Sequence, residues 1–456
     1  MRKLLFSIGL CLLFASVSFA QKLPLPTKEQ AEWADCEIGA IIHFDINVYE
    51  PSYQWRGQWD YNPDPKIFNP TKLDTDQWVK SVKDMGGKYA VLVAKHCTGF
   101  SLWPTEAHDY SIKSSPWKGG KGDIVGDFIK SCKKYGVKPG LYYSAAANGY
   151  MKVDNPGLVN SRNKKEQEEY NLMVEQQLTE LWTKYGELFE IWFDGGVLPE
   201  EKGGPRITSL MHKYQPQAVV FQGPSKTRSL IRWVGNERGV APYPCWSTRH
   251  TTTSSGGDKE IDKLHGNPDA PLWCPGEADF PIRHGGWQGG WFYHKDNTKY
   301  LMSLDELVDR YYTTAGRNTN MLIGVVIDPS GLVPDVDVKR MKEFGDVIKK
   351  CFAKPLAKTK GKGDSFEVRL RKSPEANTVV LMEDITKGER VREFTVSGKR
   401  RGVWTKLYKG SNIGHKHILK FPKGNYEAIK LEIRKSAAEP RIRDFSVYNI
   451  QDTVDL

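Results

Sequence analysis

Short apolar runs alternate with amphipathic helical patterns through most of the chain. Residues 186–196 (GELFEIWFDGG) show the unit well, because a Gly-Gly pair stops the apolar positions of a buried strand. The preceding residues 170–185 carry apolar side chains at three- and four-residue spacing, which predicts an amphipathic helix. A helix, a tight turn at Gly186 and a two-sided apolar strand are typical of a parallel sheet.

The same alternation predicts further strands and helices on both sides of this unit. Strand-like runs occupy residues 37–44, 88–95, 139–143, 218–222, 230–234 and 321–326, and helical patterns begin near Asp74 and cover residues 123–135, 304–315 and 335–351. Residues 274–294 are rich in Gly, Trp and His, and we interpret them as a long loop. Alternation over this length predicts an α/β fold, a (β/α)8-like TIM barrel in residues 21–353.

The pattern changes in the last part of the chain, residues 354–456. Short runs with period-two alternation, such as FEVRL and AIKLEIR, are separated by Gly, Pro, Asn and Lys. We predict a C-terminal antiparallel β-sandwich here. Its sequence contains neither an acid cluster nor a Gly-rich phosphate loop, so we interpret it as a structural appendage.

The first twenty residues have the pattern of a secretory signal peptide. Arg2 and Lys3 precede an apolar run over residues 4–19, and the twenty residues end in Ser-Phe-Ala. We therefore expect cleavage near Ala20 and an exported protein, either periplasmic or extracellular. No later segment is long and apolar enough to predict a membrane span.

Composition and charge narrow the classes of function. The formal net charge is +11 and aromatic residues make up 11% of the chain. A basic surface suits acidic glycans, but predicted export with this aromatic content argues against a nucleic-acid partner. The seven cysteines are widely spaced, which argues against a disulfide framework. Because neither C-x-x-C nor H-E-x-x-H occurs, we predict no structural or catalytic zinc, and we expect no cofactor.

Polar and aromatic side chains follow the predicted strands at their carboxyl ends. They are His43, His96, Tyr142, Trp192, Asp194 and Glu237. In a β/α barrel, this rim is where catalytic side chains collect. Trp and Tyr rings can stack on sugars, while the histidines offer directional hydrogen bonds to hydroxyls. Two carboxylates are the usual set for cleaving a glycosidic bond, so the pattern predicts a glycosidase.

Specific motifs sharpen this prediction. In chain order they are AIIHFDINVY, VLVAKHCTGFSLWPTEAHDYSI, GLYYS, EIWFDGG, IRWVGNERG, PGEADFPIRHGGW, WFYH and DPSGLVPDVDVKRMKEFGDVI. Together they resemble the family 29 α-L-fucosidases of the glycoside hydrolases, and VGNERG and PGEAD are most similar to the subfamily acting on α-1,3/1,4-linked fucose. The resemblance implies a barrel with a C-terminal β-sandwich, a retaining double-displacement mechanism and a fucosylated oligosaccharide or glycoconjugate as substrate.

The resemblance also implies roles for individual residues. Asp194 matches the nucleophile, and Glu237 in the GNE motif matches the acid/base. Glu277 in PGEAD is the alternative acid/base, and its other interpretation is an ion pair with Arg283. The implied sugar contacts are His43, His96, Cys97, Tyr142, Trp192, Trp59 (or Trp55), Arg232 and Trp291. Because Asp194 and Glu237 follow strands two apart, we expect Glu237 to lie nearer to Asp194 than Glu277 does. We also expect the carboxyl groups of Asp194 and Glu237 to be separated by the roughly 5–5.5 Å of a retaining enzyme.

One motif departs from the family pattern. Where the family usually has KHHDGF, residues 95–100 are KHCTGF, so that Cys97 replaces a histidine. A thiol is a weaker hydrogen-bond partner than imidazole, and the loss of one sugar contact can cost about 1 kcal/mol or more. Two alternatives therefore stay open: a retaining hydrolase of another deoxy- or galacto-configured sugar, and a non-catalytic glycan-binding barrel.

Overall fold

The computed structural model describes residues 23–234, 237–251 and 260–451, so the predicted signal peptide lies outside the described residues. Eight parallel strands close into a barrel, in which each strand pairs with its neighbour in the chain and the eighth pairs with the first. These strands are β1 (Ile38–His43), β2 (Tyr89–Lys95), β3 (Lys138–Tyr143), β4 (Glu190–Phe193), β5 (Val219–Phe221), β6 (Leu230–Trp233), β7 (Gly276–Pro281) and β8 (Thr319–Val326). The predicted barrel is confirmed.

Helices surround the barrel. They are α1 (Lys28–Ala34), α2 (Thr75–Asp84), α3 (Ile124–Tyr135), α4 (Lys164–Lys184), α5 (Ile207–Tyr214), α6 (Glu260–His265), α7 (Leu304–Thr313) and α8 (Asp335–Phe352). The side chains of Asp74, Asp123 and Ser303 accept hydrogen bonds from backbone N–H groups at the starts of α2, α3 and α7. Residues 222–229, which join β5 to β6, contain no helix, so one β/α unit is incomplete.

The amino-terminal end of the barrel is closed by α1. Trp33 Nε1 donates to Glu190 Oε2 at 3.2 Å, and Asn320 Nδ2 donates to the Trp33 carbonyl at 2.7 Å. Gln30 Nε2 donates to the Leu230 carbonyl at 2.8 Å. With this end filled by α1, ligands can approach the barrel interior from the carboxyl-terminal end of the strands.

The strand β7 corrects the interpretation of residues 274–294 as one long loop. All six residues of β7 are buried. Ala278 and Phe280 pack in the core between barrel and helices, whereas Glu277 and Asp279 face the barrel interior. Acids at alternate positions interrupt the apolar run by which a buried strand is recognised in a sequence.

A β-sandwich follows α8. Its strands are β9 (Ala357–Lys362), β10 (Ser365–Arg369), β11 (Glu375–Glu383), β12 (Val391–Arg400), β13 (Val403–Gly410), β14 (His417–Asn425), β15 (Ala428–Ser436) and β16 (Arg441–Tyr448). They form two four-stranded antiparallel sheets, ordered β9-β16-β11-β14 and β10-β15-β12-β13. Both sheets contribute to one apolar core, for example through Leu381 and Leu431. Val380, Ile418 and Tyr448 instead pack in the core of the barrel side. The predicted fold class is confirmed.

Two further predictions concern disulfides and membrane spans. The six cysteines in the described part of the chain form no disulfide with one another, and all of them except Cys351 are buried. None of the helices in the described residues is long and apolar enough to cross a membrane.

Candidate active site

A cavity of about 180 Å³ opens at the carboxyl-terminal end of the barrel strands. Its described lining residues are Ile41, His43, His96, Tyr142, Trp192, Asp194, Glu237, Asp279 and Trp291. All of these except Ile41 and Asp279 were predicted from the sequence. A larger cavity of about 470 Å³ lies between α7, α8 and the sandwich, but none of these side chains lines it. The smaller cavity occupies the position where barrel enzymes carry their active sites.

Asp194 follows β4 and reaches into this cavity. Its Oδ2 accepts a hydrogen bond from Tyr142 Oη at 2.7 Å, and Cys97 Sγ lies 4.0 Å away. Burial raises the pKa of Asp194, the hydrogen bond from Tyr142 lowers it, and the negative charge of Glu237 raises it again. The net shift is upward. Tyr142 is therefore the neighbour that favours the ionised carboxylate.

Glu237 lies on an exposed part of the loop after β6, with a left-handed backbone φ of 58°. Its Oε2 accepts a hydrogen bond from Trp291 Nε1 at 3.1 Å. Burial is the main cause of the raised pKa of Asp194 and of Asp279, and the charge of Glu237 adds to both. Three carboxyl groups thus face one cavity, one of them on its solvent side.

Aromatic rings form a continuous wall. The ring of Trp192 stacks on Phe221 at a centroid distance of 4.0 Å and on Tyr142 at 5.2 Å. Tyr142 stacks in turn on His96 at 5.8 Å, and His43 lies 5.0 Å from Trp291. Flat rings of this kind suit the apolar faces of a sugar.

The two histidines of the cavity are neutral at pH 7. Burial lowers the pKa of His43 to about 3 and the pKa of His96 well below its ordinary value. A neutral imidazole carries one donor and one acceptor nitrogen, as a sugar hydroxyl requires. The polar contacts that these rings offer are therefore hydrogen bonds without a positive charge.

Asp279 is the polar side chain of the cavity that sequence reasoning missed. Its Oδ1 accepts a hydrogen bond from Trp233 Nε1 at 2.6 Å, and burial raises its pKa well above the ordinary value. It stands two residues after Glu277 on the same face of β7. The PGEADF string would have pointed to it, had residues 276–281 been interpreted as a strand.

Glu277 lies deeper in the barrel than predicted. It is fully buried on β7 and does not line the cavity. Its Oε1 accepts from Tyr89 Oη at 2.7 Å and its Oε2 from Trp192 Nε1 at 3.0 Å. Burial raises the pKa of Glu277 to about 7. The interpreted ion pair with Arg283 is wrong, because Arg283 binds Asp337 at 2.8 Å within the core.

Arg232 does not lie where a sugar contact was expected. It is buried on the outer face of β6, where its Nη2 donates to the Trp246 carbonyl at 2.8 Å. The alternation of the strand turns Ile231 and Trp233 inward instead. The structure thus contradicts a direct contact between Arg232 and a ligand in this cavity.

The remaining predicted contacts, Cys97 and the two tryptophans, do not belong to the described lining of the cavity. Cys97 is buried, with its Sγ 3.5 Å from Ser144 Oγ. Trp55 and Trp59 pack edge to face at 5.8 Å in the loop before α2. Neither indole belongs to the described lining, so the choice between them stays open.

Comparison with known proteins agrees with a site that binds a sugar. The family model described as Alpha-L-fucosidase matches residues 14–263. Alpha-L-fucosidase 1 of Arabidopsis thaliana is 32% identical, over 93% of this chain and 88% of the relative. A solved structure of a candidate α-L-fucosidase from Bacteroides thetaiotaomicron VPI-5482 has a TM-score of 0.89 and 37% identity, covering 94% of this chain and all of that one. A glycoside hydrolase 29 family member from an unknown rumen bacterium has a TM-score of 0.81 and 31% identity, over 94% and 78% of the two chains. The chain therefore belongs to the α-L-fucosidase family of glycoside hydrolases.

Proposed function

We propose that this chain is an exported exo-acting α-L-fucosidase that retains configuration, with Asp194 as the nucleophile and Glu237 as the acid/base. The observation that carries the proposal is the pairing of a half-buried and an exposed carboxyl group in one aromatic-walled cavity of about 180 Å³. A small cavity at the end of a barrel suits a terminal sugar. The export half of the proposal rests on the signal-peptide pattern of residues 1–20.

In the first chemical step the Asp194 carboxylate attacks the anomeric carbon of the sugar. The bond from that carbon to the leaving oxygen breaks, and the oxygen takes the proton of Glu237. The hydrogen bond from Tyr142 favours the ionised form of Asp194, which makes this attack. The position of Glu237 on the solvent side suits a group that must reach the leaving alcohol.

In the second step the same two side chains exchange tasks. Glu237, now ionised, takes a proton from water, and that water attacks the anomeric carbon and releases Asp194. Two inversions at one carbon leave the sugar in its original configuration. The hydrogen bond between Trp291 Nε1 and Glu237 orients the carboxyl group in both steps.

The substrate we propose is an α-1,3/1,4-linked fucosyl group on an oligosaccharide or glycoconjugate. The GNE and PGEAD motifs support this linkage class, and the Arabidopsis thaliana relative is named an α-L-fucosidase. A hydrolase of another deoxy- or galacto-configured sugar is the second candidate, because Cys97 replaces a histidine beside the nucleophile. The intact carboxyl pair argues against a glycan-binding barrel without activity.

Leaving-group dependence tests the assignment of the acid/base. Glu237→Gln should lower turnover of a natural fucoside by about 10²–10⁴-fold, because its leaving alcohol needs a proton. The same variant should spare the first step on an aryl fucoside with a good leaving group. Glu277→Gln is the matched control: it changes a carboxyl group that holds Trp192 and should raise KM for both substrates in parallel.

The acid/base is identified by comparing the turnover of natural and aryl fucosides in the two variants. If Glu277→Gln shows the selective loss on natural fucosides and Glu237→Gln does not, the acid/base is Glu277. If both variants and the unchanged protein leave natural and aryl fucosides intact, the fucosidase proposal fails.

A further inference from the structure

Three side chains of different chemistry lie close together at the cavity that Asp194 and His96 line. His96, Cys97 and Asp194 each offer one donor atom, and these nitrogen, sulfur and oxygen atoms all lie within 4.8 Å of one another. Within this cluster, Cys97 Sγ lies 4.0 Å from Asp194 Oδ2. The cluster has no sequence motif, because Asp194 comes from β4 while the other two residues follow β2.

Imidazole, thiolate and carboxylate are the donors that zinc binds in proteins. Bond lengths of about 2.0–2.3 Å and tetrahedral angles place such donors about 3.4–3.6 Å apart. Since the donor atoms here lie within 4.8 Å of one another, each separation has to shrink by no more than about 1.4 Å. Rotation of the Asp194 or His96 side chain would bring the donors this close, and a fourth ligand would come from the cavity, because both residues line it.

Two independent features of the cavity also favour a cation. Within the described part of the chain, His96 Nδ1 is buried and has no hydrogen-bond partner. The described lining contains the three carboxyl groups of Asp194, Glu237 and Asp279, but neither lysine nor arginine. A neutral sugar does not require three carboxyl groups, and each of these groups that is ionised attracts cations into the cavity.

We propose that His96, Cys97 and Asp194 form an inhibitory site for a borderline-soft divalent cation such as Zn²⁺. On binding, Zn²⁺ replaces the thiol proton of Cys97, which passes to solvent, and engages the Asp194 carboxylate. The thiolate gives preference for Zn²⁺ over Mg²⁺ and Ca²⁺, which favour oxygen ligands. The inhibition rests on the proposed role of Asp194, but the binding of the metal does not.

Binding is measured with Zn²⁺ alone by calorimetry, and with Co²⁺ by the absorption of the thiolate–metal bond. We expect one Zn²⁺ per chain, with the affinity reduced more than about tenfold in Cys97→Ser, since even the loss of an outer partner of a ligand costs at least that much. Cys351→Ser is the matched control, because Cys351 is the one partly exposed thiol among the described cysteines. It should bind Zn²⁺ and cleave substrate like the unchanged protein. Fucose and Zn²⁺ should compete.

Several results would overturn the site. Zn²⁺ affinity that is equal in Cys97→Ser and the unchanged protein, or an affinity lost in Cys351→Ser, excludes this cluster. His96→Gln gives a second test if Cys97→Ser folds poorly, and unchanged Zn²⁺ affinity there also refutes the proposal. Failure of the fucosidase proposal is distinguishable: the chain would then bind Zn²⁺ through Cys97 without cleaving any fucoside.

Discussion

Tyr142→Phe should move the acid limb of the pH–rate profile to higher pH. The substitution keeps the ring that stacks on Trp192 and His96 but removes the hydroxyl that donates to Asp194 Oδ2 at 2.7 Å. A hydrogen bond to a charged group contributes about 1.5–3 kcal/mol, and one pKa unit corresponds to about 1.4 kcal/mol. The pKa of Asp194, already raised by burial, should therefore rise by a further one to two units or so.

The direction of the shift in the acid limb follows from the form of Asp194 that reacts, which is the ionised carboxylate. A higher pKa keeps Asp194 protonated, and hence inactive as a nucleophile, up to a higher pH. The acid limb of kcat/KM for an aryl fucoside reports the free enzyme and is the quantity to measure. Below the limb, Tyr142→Phe should lose about one to two orders of magnitude in rate, and it should recover much of this loss in alkaline buffer.

Tyr143→Phe is the control for this measurement. Tyr143 is the next residue of β3, but its side chain faces outward and donates to Gln177 Oε1 at 2.7 Å. Its variant removes a buried hydroxyl without touching Asp194 and should leave the acid limb in place. If Tyr142→Phe also leaves the limb unchanged, the limb does not report Asp194, and the assigned nucleophile is in question.

Two other substitutions probe the specificity of the site and the contact between the domains. Cys97→His should tighten the binding of fucose in calorimetry if the KHCTGF loop merely lost a ligand; unchanged fucose binding with weaker binding of another sugar would mean a pocket shaped for that sugar. Burial raises the pKa of Glu37, but the charge of Lys416 and the contacts of His415 outweigh burial and hold it below the ordinary value. The stability from Glu37 should be present above about pH 4.3 and fall as the pH drops, so Glu37→Gln should lower the free energy of unfolding by about 2 kcal/mol at pH 7 and much less in acid. The free energy of unfolding is measured with urea, and a loss that is equal at pH 7 and in acid would contradict this prediction.

Much of the barrel could be predicted because its strands are two-sided. One face packs on helices and the other fills the interior, so strands such as β2 and β8 form continuous apolar runs. The strand β7 escaped prediction for the opposite reason. Its inward positions are Glu277 and Asp279, whose partners Trp192 and Trp233 come from distant parts of the chain. A sequence does not reveal that such acids are satisfied by hydrogen bonds inside a barrel.

The candidate site was predicted to the extent that it lies at the ends of recognised strands. His43, Tyr142 and Asp194 were found in this way, and each lines the cavity. Arg232 was misplaced because a motif does not say which of two neighbouring residues turns inward. The proximity of Cys97 to Asp194 required the three-dimensional arrangement of β2 and β4.

The most direct test of the central claim is chemical rescue of Asp194→Gly with azide. Removal of the nucleophile should lower turnover of an aryl α-L-fucoside by several orders of magnitude while the fold survives, because Asp194 lies at the rim of the barrel and not in its hydrophobic core. The cavity left by the side chain should admit azide, which attacks the anomeric carbon from the same side. We predict a partial recovery of rate and a fucosyl azide of inverted configuration, identified by nuclear magnetic resonance. Near-normal turnover in Asp194→Ala without azide, or a folded Asp194→Gly that forms no fucosyl azide, would contradict the assignment.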